Sequence, residues 1–182
     1  MSAVLLFNHS HEPVFRVVRA GWRDPLDASF SQMRPDNRWN TAEFPALYCC
    51  CSEAVARAVV LDVFHFAGVE MGDLKAGARP QLIEIGWRGE AVDMISPEGI
   101  AAAGFPHSYP RGVSKDATRV AAARWNSDGR SAIVCRSASL SRQGLDVWEG
   151  AHERWGELAI FGLKVLELSW VLKRRRSLSW LR

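Results

Sequence analysis

The sequence predicts an α+β domain in which a mixed, mostly antiparallel sheet forms the core and helices flank it. Three observations carry that expectation. Short runs rich in β-branched, aromatic and small apolar residues recur along the chain. Segments of helical length with clear start signals lie between them. No repeat, low-complexity stretch or linker interrupts the pattern. With 182 residues, 48% hydrophobic and 24% charged, one domain over 1–182 is expected, with its core at about 14–170.

The elements follow in order. VFRVV (14–18) and ALYCCC (46–51) read as strands. The turn-rich, polar DPLDASFSQMRPDN between them reads as a surface loop. Ser52 is a good N-cap, with Glu53 in the first turn, for a helix running to about Phe66 and closed by Gly68. RPQLIEIGW (79–87) alternates as a strand should, and AVDMI (91–95) forms a second after the RGE turn. SPEGIAAAG opens with a cap and a helix-start proline, which predicts a short helix near 97–103. Asp116 to Asn126 predicts another, closed by the turn SDG. SAIVCRS (131–137) is a strand and LSRQGLDVWEGAHER is loop-like. ELAIF (157–161) and KVLELSW (164–170) are strands joined at Gly162.

Composition removes several classes of function. The apolar AVLLF (3–7) has no basic region before it, and His9 and His11 follow at once, so no signal peptide is expected. The stretch from Leu158 to Leu172 is broken by Lys164 and Glu167 and is not expected to span a membrane. Of the four cysteines three are adjacent, which suits neither a disulfide framework nor a zinc site. Buried thiols in a reducing cytoplasm are the expectation. Of the 23 Lys and Arg residues, Lys173, Arg174, Arg175, Arg176 and Arg182 fall in the last ten positions, leaving 18 against 20 acids in the body. The 173–182 segment reads as a solvated basic tail, with contact to nucleic acid as the alternative. There is no Gly-rich phosphate loop, HExxH, GxSxG or CxxC.

What remains is a set of polar residues near strand ends. FRVVRAGWRDPLDAS, then RWN, then FPALYCCCS with its helix, then a strand carrying CRSAS, resembles in this order the RES-domain family. The resemblance runs from about Phe15 to Phe161. It implies an ADP-ribosyltransferase-like fold and a toxin that cleaves the nicotinamide N-glycosidic bond of NAD, by hydrolysis or phosphorolysis. NAD is then a substrate, and no cofactor or metal is implied. It also implies a cognate antitoxin with a helix-turn-helix domain. By the same resemblance Arg16 and Arg38 bind substrate as anchors for the pyrophosphate, Tyr48 stacks on nicotinamide, and Ser137 serves catalysis. Asn40, closing the RWN triplet, joins the binding set.

Paired guanidinium–phosphate hydrogen bonds and an aromatic platform suit a dinucleotide. An oxocarbenium-like transition state calls for negative charge near the sugar. Here the sequence departs from the family. The glutamate that the pattern places eleven residues after the tyrosine is Val59. Asp62, about one helical turn on, is the nearest substitute and is taken as the catalytic acid. Glu153, Glu157 and His152 are further candidates from another segment, whereas Glu53 should point elsewhere. Taken singly, Arg16 reads equally as an edge-strand cation, Asn40 and Ser137 as caps, and Tyr48 as core. A second function therefore stays open: a chain that binds NAD but has lost the reaction, with Val59 as its main support.

Overall fold

The computed structural model describes residues 4–9, 13–34, 37–145 and 155–162, and the backbone of 171–176. Eight strands among these residues form one mixed sheet. They are β1 (Leu6–His9), β2 (Val14–Arg19), β3 (Ala46–Cys50), β4 (Pro80–Gly86), β5 (Gly89–Met94), β6 (Ala132–Arg136), β7 (Gly156–Phe161) and β8 (Val171–Arg176), in the order β1-β5-β6-β7-β3-β2-β4-β8. Only β5 and β6 pair in parallel. The connection between them carries helices α3 (Pro97–Ala102) and α4 (Lys115–Ser127), as a parallel crossover requires. The α+β expectation, mostly antiparallel, is met.

Pairing along the sheet is uneven, and this unevenness makes the site. β2 lies against β4 over its whole length, from Val14 opposite Ile85 to Arg19 opposite Pro80. β3 lies as fully against β7. Between β2 and β3 a single position pairs, Phe15 opposite Cys50. The sheet is thus seamed there. Val14, Val18, Ile83 and Ile85 from one half bury against Leu47, Cys49, Val134, Leu158 and Ile160 from the other. On the opposite face of β3, β6 and β7, Ala46, Ile133, Cys135, Ala159 and Phe161 pack with Trp39, Tyr109, Ile100, Ala122 and Trp125. Strand β6 is buried at every position, as a strand covered on both faces should be.

Helix α2 (Glu53–Ala67) begins and ends on the residues that the sequence singles out. The Ser52 hydroxyl accepts from the Val55 N–H, and Gly68 closes the helix at φ 60°, a left-handed conformation that costs glycine little. Its buried face packs Val55, Ala56, Ala58 and Val60 against Leu82 and Leu140, with Val59 beside them. The position of the missing glutamate therefore lies in an apolar cluster.

Four sequence expectations change. α1 (Ser29–Gln32) interrupts the loop expected before the RWN triplet, and α5 (Ala138–Arg142) occupies part of the LSRQG stretch expected to be irregular. The apolar N-terminal segment enters β1, pairing with β5. Residues 173–176 are not a tail: they belong to β8, where Arg174 lies opposite Glu84. Positively charged residues on an edge strand discourage pairing with other chains. The expected strand at 164–170, residues 177–182, His152 and Glu153 lie outside the described residues.

Asp62, expected as the catalytic acid, has structural partners. Its side chain is buried, accepts from Ser139 Oγ at 3.0 Å and from Arg142 Nε at 3.0 Å, and forms an ion pair with Arg142. Arg142 in turn lies over the Phe66 ring. The carboxylate clamps α2 to α5, and it also lines a cavity of about 600 Å³ with His65, Phe66 and Arg142. Burial raises its pKa, but the hydrogen bonds from Arg142 and Ser139 and the Arg142 charge outweigh that and hold it below the ordinary value. Such a group contributes stability above its unfolded pKa of about 3.9, and the contribution is lost as pH falls through the lower folded value. Asp62→Asn should lower unfolding free energy by about 1–2 kcal/mol at neutral pH. The gap from the parent should close below about pH 4, as followed by urea titration across pH.

Candidate active site

The site is built where the sheet is seamed. Arg16 stands on β2, on the same face as Val14 and Val18, and is 7% exposed. Its Nη1 donates to the Tyr48 carbonyl at 3.4 Å and its Nη2 to the Asp27 carbonyl at 3.2 Å, while the guanidinium lies 5.5 Å from the Trp22 ring centroid. The buried Nε–H has no acceptor among the described residues. Burial lowers the Arg16 pKa, and the charges of Cys49, Asp27 and Asp24 work against that lowering. The guanidinium is therefore a buried cation that the protein satisfies only in part, and an arriving anion would complete its shell.

Tyr48 is half-buried on β3. Its hydroxyl accepts from the Trp39 N–H at 2.9 Å and donates to Asn40 Oδ1 at 2.8 Å. Burial raises its pKa well above the ordinary value, more than the Trp39 hydrogen bond and the Arg38 charge lower it. The phenol thus stays protonated and keeps donating. Asn40 is fully buried, and its amide also donates to the Ser31 carbonyl at 2.6 Å. Its hydrogen bonds run to protein groups on both sides. It ties the RWN loop to α1 on one side and to Tyr48 on the other. Trp39 is buried too, stacked on Trp125 at 6.0 Å. With its two successors anchored, Arg38 is held half-exposed beside Tyr48, and it makes no ion pair among the described residues.

A cavity of about 270 Å³ opens on this arrangement. Arg16, Phe30, Arg34, Asn37 and Tyr48 are among its walls, with two cations and no carboxylate in the lining. Phe30 also belongs to a second cavity of about 410 Å³, where Trp22 and Met33 supply an apolar surface. Arg34 lies 5.3 Å from the Phe30 ring centroid, and Phe30 meets Trp22 edge to face at 5.6 Å. Sequence reasoning missed Trp22, Phe30 and Arg34. The signal available was the single helical turn SFSQ, too short to show a period.

Ser137 also changes role. It is fully buried, accepts from the Leu140 N–H at 3.2 Å as the cap of α5, and donates to Glu157 Oε1 at 2.6 Å. Among the described residues, its hydroxyl partners are the Leu140 N–H and Glu157. The cysteines are buried and form no disulfide. Burial pushes Cys49 and Cys135 up to about 12, which keeps them as thiols and without a nucleophilic role at neutral pH.

The geometry is that of a mixed α+β sheet with a cation-lined cavity beside its β2–β3 seam. The RES domain family model matches residues 13–164, and the chain belongs to that family. Its fold is similar to that of a chain in the crystal structure of the M. tuberculosis MbcT–MbcA toxin–antitoxin complex. That chain gives a TM-score of 0.74 at 16% identity, over 98% of this chain and 88% of that one. No curated protein matches the chain. Among the described residues no helix is long and apolar enough to cross a membrane.

Asn40→Ala would leave the Ser31 carbonyl and the Tyr48 hydroxyl without their buried partner. A loss of about 1–3 kcal/mol in unfolding free energy is expected, read from the chemical-denaturation midpoint.

Proposed function

We propose that this chain is an NAD-consuming enzyme that breaks the bond between nicotinamide and ribose and acts as the toxin of a toxin–antitoxin pair. The observation that carries the reading is Arg16: a buried guanidinium with a spare N–H on a cavity that also holds Arg34 and lacks a lining carboxylate. That electrostatic setting selects a ligand with concentrated negative charge, such as a pyrophosphate. The aromatic cavity sharing Phe30 suits the adenine end, and Arg38 and Tyr48 suit the nicotinamide end. Membership of the RES family supports the substrate. The toxin–antitoxin complex that contains the similar fold supports a protein antitoxin, for which a helix-turn-helix protein is the candidate. NAD serves as substrate, so the reading asks for no added cofactor, and it places the protein in the cytoplasm where NAD is available.

In this reading the residues bind and orient. Arg16 and Arg34 neutralise the pyrophosphate, and the Tyr48 ring supports the nicotinamide ribose. The closely packed walls limit the conformations that the dinucleotide samples. A second reading, binding without turnover, is favoured by one observation: Val59 sits in an apolar cluster where the family has its glutamate.

Incubation of the protein with NAD, with and without phosphate, should release nicotinamide in proton NMR. NAD binding in calorimetry without release would favour the second reading, and neither release nor binding would overturn both. Arg38→Ala should weaken NAD binding by roughly tenfold to a hundredfold, about 1.5–3 kcal/mol, with an unchanged melting temperature.

A further inference from the structure

Strand β7 carries a carboxylate that packing alone does not call for. Glu157 is half-buried in a strand whose other positions are all buried. β7 is paired on both sides, with Cys50 and Cys135 directly opposite Glu157. An ionised group so placed is costly unless it is satisfied. Its partner is Ser137, whose hydroxyl donates at 2.6 Å. That bond is not needed to cap α5, because the capping contact is the one from the Leu140 N–H to Ser137 Oγ. A neutral side chain at 157 would leave the cap intact.

The strand register decides where the carboxylate lies. Tyr48 is opposite Ala159, so Glu157 is the diagonal neighbour of Tyr48 on the same sheet face, at roughly 7–8 Å between backbone positions. Arg38 directly precedes Trp39, whose N–H bonds to the Tyr48 phenol. The Tyr48 hydroxyl feels both charges, Glu157 disfavouring its ionisation and Arg38 favouring it. Cation and carboxylate are therefore both neighbours of the one aromatic ring, and Tyr48 is the member of the three that also walls the Arg16 cavity.

We propose that Glu157 is the catalytic carboxylate of this chain. It would supply from the sheet the negative charge that the family pattern places on the helix, where this chain has Val59. Ser137 is then a positioning residue that fixes the Glu157 rotamer. The inference rests on the NAD reading above. As the C1′–N1 bond breaks, its electron pair goes to the nicotinamide nitrogen, which leaves as neutral nicotinamide. The positive charge passes to the ribose ring, where Glu157 stabilises it. Water then adds at C1′, and its proton passes to the Glu157 carboxylate and on to solvent, giving ADP-ribose.

The test is Glu157→Gln in the full chain, a near-isosteric change whose amide oxygen still accepts from Ser137. Nicotinamide release at saturating NAD should fall by about a hundredfold or more, with NAD affinity and melting temperature unchanged. Ser137→Ala should lower kcat and leave KM for NAD in place. If the parent releases nicotinamide and Glu157→Gln retains that rate, the assignment is overturned and the NAD reading stands. If the parent releases none, both fall. Should Glu157→Gln not melt cooperatively, Glu157→Asp carries the test. It keeps the charge one methylene short, and release at the parent rate would overturn the assignment.

Discussion

One phenol holds this site together. The Tyr48 hydroxyl accepts from the Trp39 backbone and donates to the Asn40 side chain, fixing an irregular loop to a regular strand at two points. Arg38 precedes the first of these points, and the second continues through Asn40 to α1, which carries Phe30 and leads into Arg34. Three walls of the cleft therefore take their positions from one side chain. Its raised pKa belongs to the same arrangement, since an ionised phenolate could no longer donate to Asn40. A buried hydrogen-bond chain of this kind is rigid when every member is satisfied.

The seam between β2 and β3 supplies the opening itself. A continuous sheet presents a flat hydrogen-bonded surface with no room for a ligand between neighbouring strands. Here the ladder is reduced to Phe15 and Cys50, and the Arg16 guanidinium takes the Tyr48 carbonyl, as a strand N–H would elsewhere. A charged side chain thus substitutes for part of a backbone ladder and remains able to meet an anion. Family residues that look interchangeable as a motif have separate physical roles. Arg16 charges the cleft, Tyr48 frames it, and Ser137 caps α5 and holds Glu157.

Much of the architecture was legible in the sequence because its signals are local. Ser52 and Gly68 bracket α2, alternation marks β4, and a run of small and β-branched residues marks β6. The misses have local causes as well. Helices α1 and α5 are too short to show a period, and β1 is a four-residue edge strand. The site was only partly legible for another reason. Helical spacing correctly put Asp62 about one turn from Val59, but it could not show that Ser139 and Arg142 would meet the carboxylate. The relation of Glu157 to Tyr48 depends on strand register across more than a hundred residues of chain, and no spacing rule reports that. For Asn40, the sequence showed a polar residue beside a functional arginine and nothing of its burial.

The strand order also governs when the molecule becomes complete. β7 is a late strand in the chain yet sits near the middle of the sheet, between β6 and β3. Domains assemble from their N-terminal parts as the ribosome extends them, and pairings between distant segments form slowly. A nascent chain that already displays Arg16, Arg38, Tyr48 and Ser137 still lacks the strand that joins its two middle portions, together with Glu157. The middle of the sheet is thus joined only once β7 has emerged and inserted. Translation itself separates the making of the N-terminal strands from the moment the sheet closes beside them.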